Sequence, residues 1–117
     1  MTGLVSHCAG KAAETSVAQH YCRSGRPIAA TRWRSAGGEI DLIARDGAEV
    51  IFIEVKKAAT HAAAAHRLSR RQMDRLCHSA ALFLEGEPRG QLTPMRFDLA
   101  LVDAQGRIDI IENAFAA

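Results

Sequence analysis

Two β-patterned runs meet at an Asp-Gly pair in residues 37–58, GGEIDLIARDGAEVIFIEVKKA, and each carries a carboxylate among its apolar positions. Residues 38–45 and 49–57 have the length and the Ile/Val/Phe content of strands, and Arg45-Asp46-Gly47-Ala48 reads as the turn that folds one onto the other. Side chains alternate along a strand, so Glu39 and Asp41 share one face, and Ile40 and Leu42 the other. On the next strand Phe52, Glu54 and Lys56 share a face, with Ile51, Ile53 and Val55 opposite. Across a hairpin, Asp41 and Glu54 converge on one side of the sheet.

A carboxylate on a core strand costs free energy unless something pairs with it, and two held close repel unless a cation or proton lies between them. Lys56 offsets part of that charge. A divalent metal fits the rest, and hard oxygen donors suit Mg²⁺ or Mn²⁺. Such an ion polarises a phosphoryl oxygen, while Lys56 orients the attacking water or offsets developing negative charge. Asp41, Glu54 and Lys56 are therefore the catalytic candidates, joined by Glu39 on the face of Asp41. The alternative is a solvent-facing strand side with an ordinary Glu-Lys pair.

The rest of the chain supplies a scaffold for that hairpin. Ala13, Val17 and Tyr21 recur every four residues, which predicts a helix over 11–24 stopped by Gly25 and Pro27. Residues 28–34 read as a short strand. Met73, Leu76, Ala80, Phe83 and Leu84 have helical spacing, and that helix ends at Gly86 and Pro88. Residues 95–103 and 107–112 read as strands joined at Ala104-Gln105-Gly106. The order α-β-β-β-α-β-β predicts one α/β domain over 1–117, a mixed sheet flanked by helices. Around the first helix Glu14 falls between Tyr21 and Ala18, facing either inward to a metal at the sheet edge or outward as a helix-start glutamate.

Charge is distributed unevenly. Residues 1–55 hold six Lys/Arg against six Asp/Glu, residues 56–78 hold six against Asp74 alone, and residues 79–117 hold three against six. The basic excess of Lys56, Lys57, Arg67, Arg70, Arg71 and Arg75 suits either a polyanion or a solvated helix face. Trp33, flanked by Arg32 and Arg34, suits stacking on a base or packing under the sheet, with packing favoured. Asp98, between Phe97 and Leu99, either approaches the site or pairs with Arg96 or the second helix. His7-Cys8, His20, Cys22 and Cys77-His78 fit no standard zinc spacing, and Cys22 and Cys77 are expected as small buried hydrophobes. No apolar run has the length of a membrane span and no signal-peptide pattern opens the chain, so the expectation is a cytoplasmic protein with reduced thiols and no membrane partner.

GEIDLIARDG followed by VIFIEVK, with AAETSVAQHY upstream and MRFDLALVD and ENAF downstream, resembles the bacterial YraN-type family, which is similar to archaeal Holliday-junction resolvases. The resemblance covers nearly the whole chain. It implies a restriction-endonuclease-like fold with the PD-(D/E)xK signature at Asp41, Glu54 and Lys56, and it makes Glu14 a third metal ligand. It further implies a nuclease acting on structured or branched DNA, with Lys57, Arg67, Arg70, Arg71, Arg75, Arg32 and Arg34 as nucleic-acid contacts, and a homodimer. Departures are local. Arg32 stands where an asparagine is common, Gln72 where a lysine is common, Lys57-Ala58 follows the EVK triplet without the usual arginine, and ATHAAAAH replaces a Phe-Gly loop. A non-catalytic nucleic-acid-binding module with this fold is the rival expectation, and an assembly protein with an acidic partner the third.

Overall fold

The computed structural model describes residues 3–115, with side-chain surroundings for residues 11–115. Its elements are α1 (Gly3–Arg23), β1 (Ile28–Ser35), β2 (Gly38–Asp46), β3 (Glu49–Lys57), α2 (His61–Ala65), α3 (Arg70–Leu84), β4 (Met95–Val102) and β5 (Ile108–Phe115). The five strands form one sheet in the order β1-β2-β3-β4-β5. Only β3 and β4 run parallel. The other neighbours are antiparallel hairpin partners. The expected mixed sheet and element order are therefore the fold of this chain, with α2 as a short addition before the main helix.

The sheet is buried on both faces because its central strands carry unbroken apolar runs. On one face Ala13, Val17 and Tyr21 of α1 pack on Leu42, Ala44, Ile51, Ile53, Ala100 and Val102. On the other, Leu76, Ala80 and Leu84 of α3 pack on Ile43, Val50, Phe52 and Phe97. Each such Val, Leu, Ile or Phe contributes about 1.5–3 kcal/mol by leaving water. Trp33 meets Phe83 edge-on, with ring centroids 5.3 Å apart, so it packs between sheet and helix as favoured from sequence. Ser69 caps α3 by accepting the Gln72 N–H at 3.1 Å.

Three local expectations are corrected. The β2–β3 turn sits one residue later, because Asp46 pairs with Glu49 and the loop is Gly47-Ala48. Gly47 has φ +58°, the glycine-first arrangement of a II′ loop. Cys22 is exposed rather than buried and Cys77 is half-buried; Cys22 follows Tyr21 around α1 and leaves the apolar stripe. Finally, strand alternation fails midway along the β1–β2 hairpin. Thr31 pairs with Leu42 and Trp33 with Ile40, yet Leu42 packs on the α1 side while Trp33 and Ile40 pack on the α3 side. Regular alternation puts positions two apart on one face, so both strands change phase at the intervening pair, Arg32 and Asp41.

Close approach of the β1–β2 turn to α3 requires glycine. A Cβ on Gly37 would lie 2.4 Å from His78 Cδ2, 2.9 Å from Ser79 Oγ and 3.1 Å from the Ser79 backbone N.

Candidate active site

The phase change aims Asp41. Its opposite number Arg32 has φ +47°, a left-handed backbone that costs a non-glycine residue on the order of 1–3 kcal/mol. The β2–β3 ladder runs from Asp46 paired with Glu49 to Leu42 paired with Ile53, so Asp41 and Glu54 lie just past its end. There Asp41 turns its side chain toward β3, and Oδ2 accepts the Val55 backbone N–H at 2.8 Å. A carboxylate thus takes the donor that a continued ladder would have used.

Glu54, buried at 7% exposure, reaches the same point from β3. Burial, and then Glu54 beside it, push the Asp41 carboxyl up to about 8; the Val55 N–H and Lys56 pull the other way without overcoming them. Asp41 therefore keeps its proton at neutral pH. Lys56 Nζ lies 3.2 Å from Glu54 Oε2, and Gln72 Nε2 of α3 donates to the same oxygen at 3.3 Å. A cavity of about 310 Å³ opens on the group, lined by Gly38, Glu39, Asp41, Glu54, Lys56 and Arg75 among others.

Several predicted site residues gather here. Asp41, Glu54 and Lys56 meet as the hairpin pattern implies, and Glu39 lines the same cavity, its carboxylate held by Arg34 at 3.0 Å on the exposed rim. Arg75 joins them from α3. Gln72 stands out in the sequence only as a departure, yet it touches Glu54; its place one turn ahead of buried Leu76 on α3 was the available signal.

Other residues stand apart. Glu14 does face inward, but its partner is Arg32, whose Nη2 lies 2.9 Å from Oε2 and whose Nε lies 3.4 Å from Oε1. The pair borders a separate cavity of about 420 Å³ between α1 and β1, with Lys11, Thr15, Gln19 and Thr31. Glu14 is thus an ion-pair partner rather than a member of the Asp41–Glu54 group, because a guanidinium on β1 reaches it first. Glu14 holds the Arg32 guanidinium above its usual range, and Glu39 and Asp41 add to that more weakly. Lys57, one residue past Lys56, falls by alternation on the opposite face. Arg67, Arg70 and Arg71 are exposed around the start of α3, and Arg70 pairs with Asp74 at 3.5 Å.

Among the described residues no three His, Cys, Asp or Glu side chains are arranged to hold a metal, and His7-Cys8 lie outside the described side chains. Two carboxylates nevertheless match what Mg²⁺ takes from a protein, since it keeps waters and accepts phosphate oxygens for its other positions. The raised Asp41 carboxyl marks a site short of positive charge, and a divalent ion held by Asp41 and Glu54 would supply it. The residues fit such an ion.

The chain has recognisable relatives. The profile of the uncharacterised protein family UPF0102 matches residues 13–112. A UPF0102 protein of Cereibacter sphaeroides is 71% identical over 117 residues, covering 100% of both chains. One from Ruegeria pomeroyi is 58% identical over 113 residues, 97% of this chain and 92% of its own. One from Roseobacter denitrificans is 45% identical over 114 residues, 97% of this chain and 88% of its own.

Proposed function

The chain belongs to the uncharacterised protein family UPF0102, and from that premise we propose that it is a divalent-metal-dependent nuclease acting on structured or branched DNA. The observation that carries the reading is the convergence of Asp41 and Glu54 beside Lys56 on one cavity, which α3 borders with Arg75. Paired carboxylates with an adjacent lysine suit phosphodiester hydrolysis, where charge develops on phosphoryl and leaving-group oxygens. Bound at Asp41 and Glu54, Mg²⁺ or Mn²⁺ supplies Lewis acidity toward a phosphoryl oxygen.

The chain's own residues do the rest. Glu54 holds Lys56 within 3.2 Å, which keeps an ammonium at the rim where an incoming water and the phosphate charge need it. Arg75, with Arg71 and Arg67 nearby in sequence, presents guanidinium groups to the phosphate backbone, which positions nucleic acid without reading its bases. The resemblance to resolvases and a restriction-endonuclease-like fold supports a branched substrate.

A second reading has its own observation. Glu14 is tied to Arg32 and Glu39 to Arg34, so the two further acids near the pair are each held by an arginine. A nucleic-acid-binding module that has lost efficient cleavage fits that arrangement. Branched, flapped, single-stranded and duplex DNA, each incubated with Mg²⁺ or Mn²⁺, separates the two. Cleavage abolished by Asp41→Asn and Glu54→Gln supports the nuclease; salt-sensitive binding without cleavage of any of the four supports the module.

A further inference from the structure

Alternation along β2 already gives Asp41 the face of Ile43 and of Glu54; the phase change of β1 and β2 at Arg32 and Asp41 accompanies the turn of the Asp41 side chain toward β3, and the left-handed backbone state at that point belongs to Arg32. Its φ of +47° is one that an arginine does not adopt unaided. What holds it is visible. Both Nε and Nη2 of Arg32 are engaged by the two oxygens of Glu14, a two-point contact that fixes the guanidinium plane as well as its position. Glu14 is itself fixed, one turn from buried Val17 on a helix packed against the sheet. With a regular extended backbone, Arg32 would share the face of Asp41, which lies opposite it between the Thr31–Leu42 and Trp33–Ile40 pairs. The left-handed turn sends it to α1 instead, and the same slip turns Asp41 in toward β3 and the Val55 N–H.

We infer that Glu14 and Arg32 are positioning residues: their ion pair across α1 and β1 holds the left-handed backbone that turns Asp41 onto the Val55 N–H beside Glu54. Glu14 then serves the carboxylate centre from outside it, through the conformation of β1. The inference concerns the direction of one side chain and stands whether or not the site takes a metal or cleaves DNA.

The Val55 amide reports that direction, because its acceptor is Asp41 rather than a strand neighbour. Native-state hydrogen exchange at Val55 is read in four variants, with the Asn113 amide as an internal control; that N–H donates to Asp98 at 3.0 Å in the sheet's other half. Arg32→Val combines loss of the ion pair with a β-branched side chain that resists positive φ. It lowers Val55 protection by about tenfold, the scale of removing one hydrogen bond, while Asn113 keeps its own. Arg32→Gly removes the ion pair but takes positive φ freely, and Val55 stays protected. Glu14→Ala lowers Val55 protection in the otherwise native chain and changes nothing when combined with Arg32→Gly. Full Val55 protection in Arg32→Val, or its loss in Arg32→Gly with Asn113 still protected, overturns the inference. So does a Glu14→Ala effect that persists beside Arg32→Gly. If Arg32→Val unfolds, Asn113 exposes it and the Glu14→Ala pair of measurements decides.

Discussion

Asp41 and Asp98 are both aspartates on central strands, removed from water to different ends. Asp98 is fully buried and surrounded by donors: Tyr21 Oη at 2.7 Å, Arg96 Nε at 3.0 Å, and the Asn113 N–H at 3.0 Å. Arg96 extends the network to Glu49 and Glu112, and Arg26 joins Glu112 while lying over the Tyr21 ring at 4.7 Å. Burial and the bond to Asp98 push the Tyr21 hydroxyl well above the usual phenol range, so it remains a donor at any pH of interest. Asp41 receives one N–H and faces a second carboxyl. The difference separates two uses of a buried acid. Supplied with donors, it ties α1 to β4 and β5. Faced with its own kind, it is left wanting a cation.

The comparison breaks most visibly at Asp98. Asp98→Ala leaves Arg96 and the Tyr21 hydroxyl without their buried acceptor and should cost about 3–5 kcal/mol in urea unfolding. A loss below about 1 kcal/mol would mean the network is incidental to stability. Next in size is the response of the other site to cation. Mg²⁺ or Mn²⁺ at a hundredfold excess over its Kd should stabilise the native chain by about 2.7 kcal/mol, and Asp41→Asn or Glu54→Gln should abolish that gain. Equal stabilisation of the variants places the ion elsewhere.

A smaller effect sharpens the contrast through pH. The folded-state value of Asp41, about 8, lies above the ~3.9 of an unfolded aspartate, so between those values the folded chain holds a proton the unfolded chain has released. The stabilisation is complete below about pH 4 and is lost as pH climbs through about 8. Asp41→Asn should flatten that decline and, at its alkaline end, stabilise the metal-free protein by relieving repulsion. A decline unchanged in Asp41→Asn would assign it to other groups. Smallest in stability is the basic face. Replacing Arg67, Arg70, Arg71 and Arg75 with Gln should change unfolding free energy by no more than about 0.5 kcal/mol, since all four are exposed and α3 is held by Leu76, Ala80 and Leu84. It should weaken DNA binding and flatten log affinity against log salt by about 0.9 for each phosphate no longer neutralised. An unchanged slope in a folded variant moves the DNA to another surface.

Much of this was legible in the sequence, for reasons that differ by residue. β3 follows its predicted bounds because Asp-Gly and period-two side chains mark both ends of a hairpin. The meeting of Asp41 with Glu54 follows from the same hairpin. Their faces were less secure: expecting Ile40 and Leu42 on one side assumes uniform alternation, and the slip that separates them depends on φ at Arg32, which no side-chain period encodes. Glu14 does face inward, one of the two directions its helical position allows, but its partner comes from a neighbouring strand whose guanidinium direction depends on that same slip. Asp98 has Arg96 as one partner, as its neighbours in sequence suggest; Tyr21 is the partner that sequence reasoning missed, although a tyrosine on a buried helical stripe needs an acceptor. Cys22 departs from expectation because helical position alone does not say where the sheet's cover stops.

The sheet's connectivity also has a kinetic meaning. β1, β2 and β3 form a meander closed by two-residue loops, Ala36-Gly37 and Gly47-Ala48, whereas pairing β4 with β3 must first enclose residues 58–94. Loop-closure entropy favours the short contacts early and delays the long one. The two acids of the hairpin therefore come together while water still surrounds them, and α3 arrives afterwards to cover an arrangement already made. Trp33, the chain's single tryptophan, lies on the meander and packs against Phe83 of α3. Its fluorescence during refolding times the arrival of the helix, and the order of assembly requires that signal to lag behind formation of the hairpins.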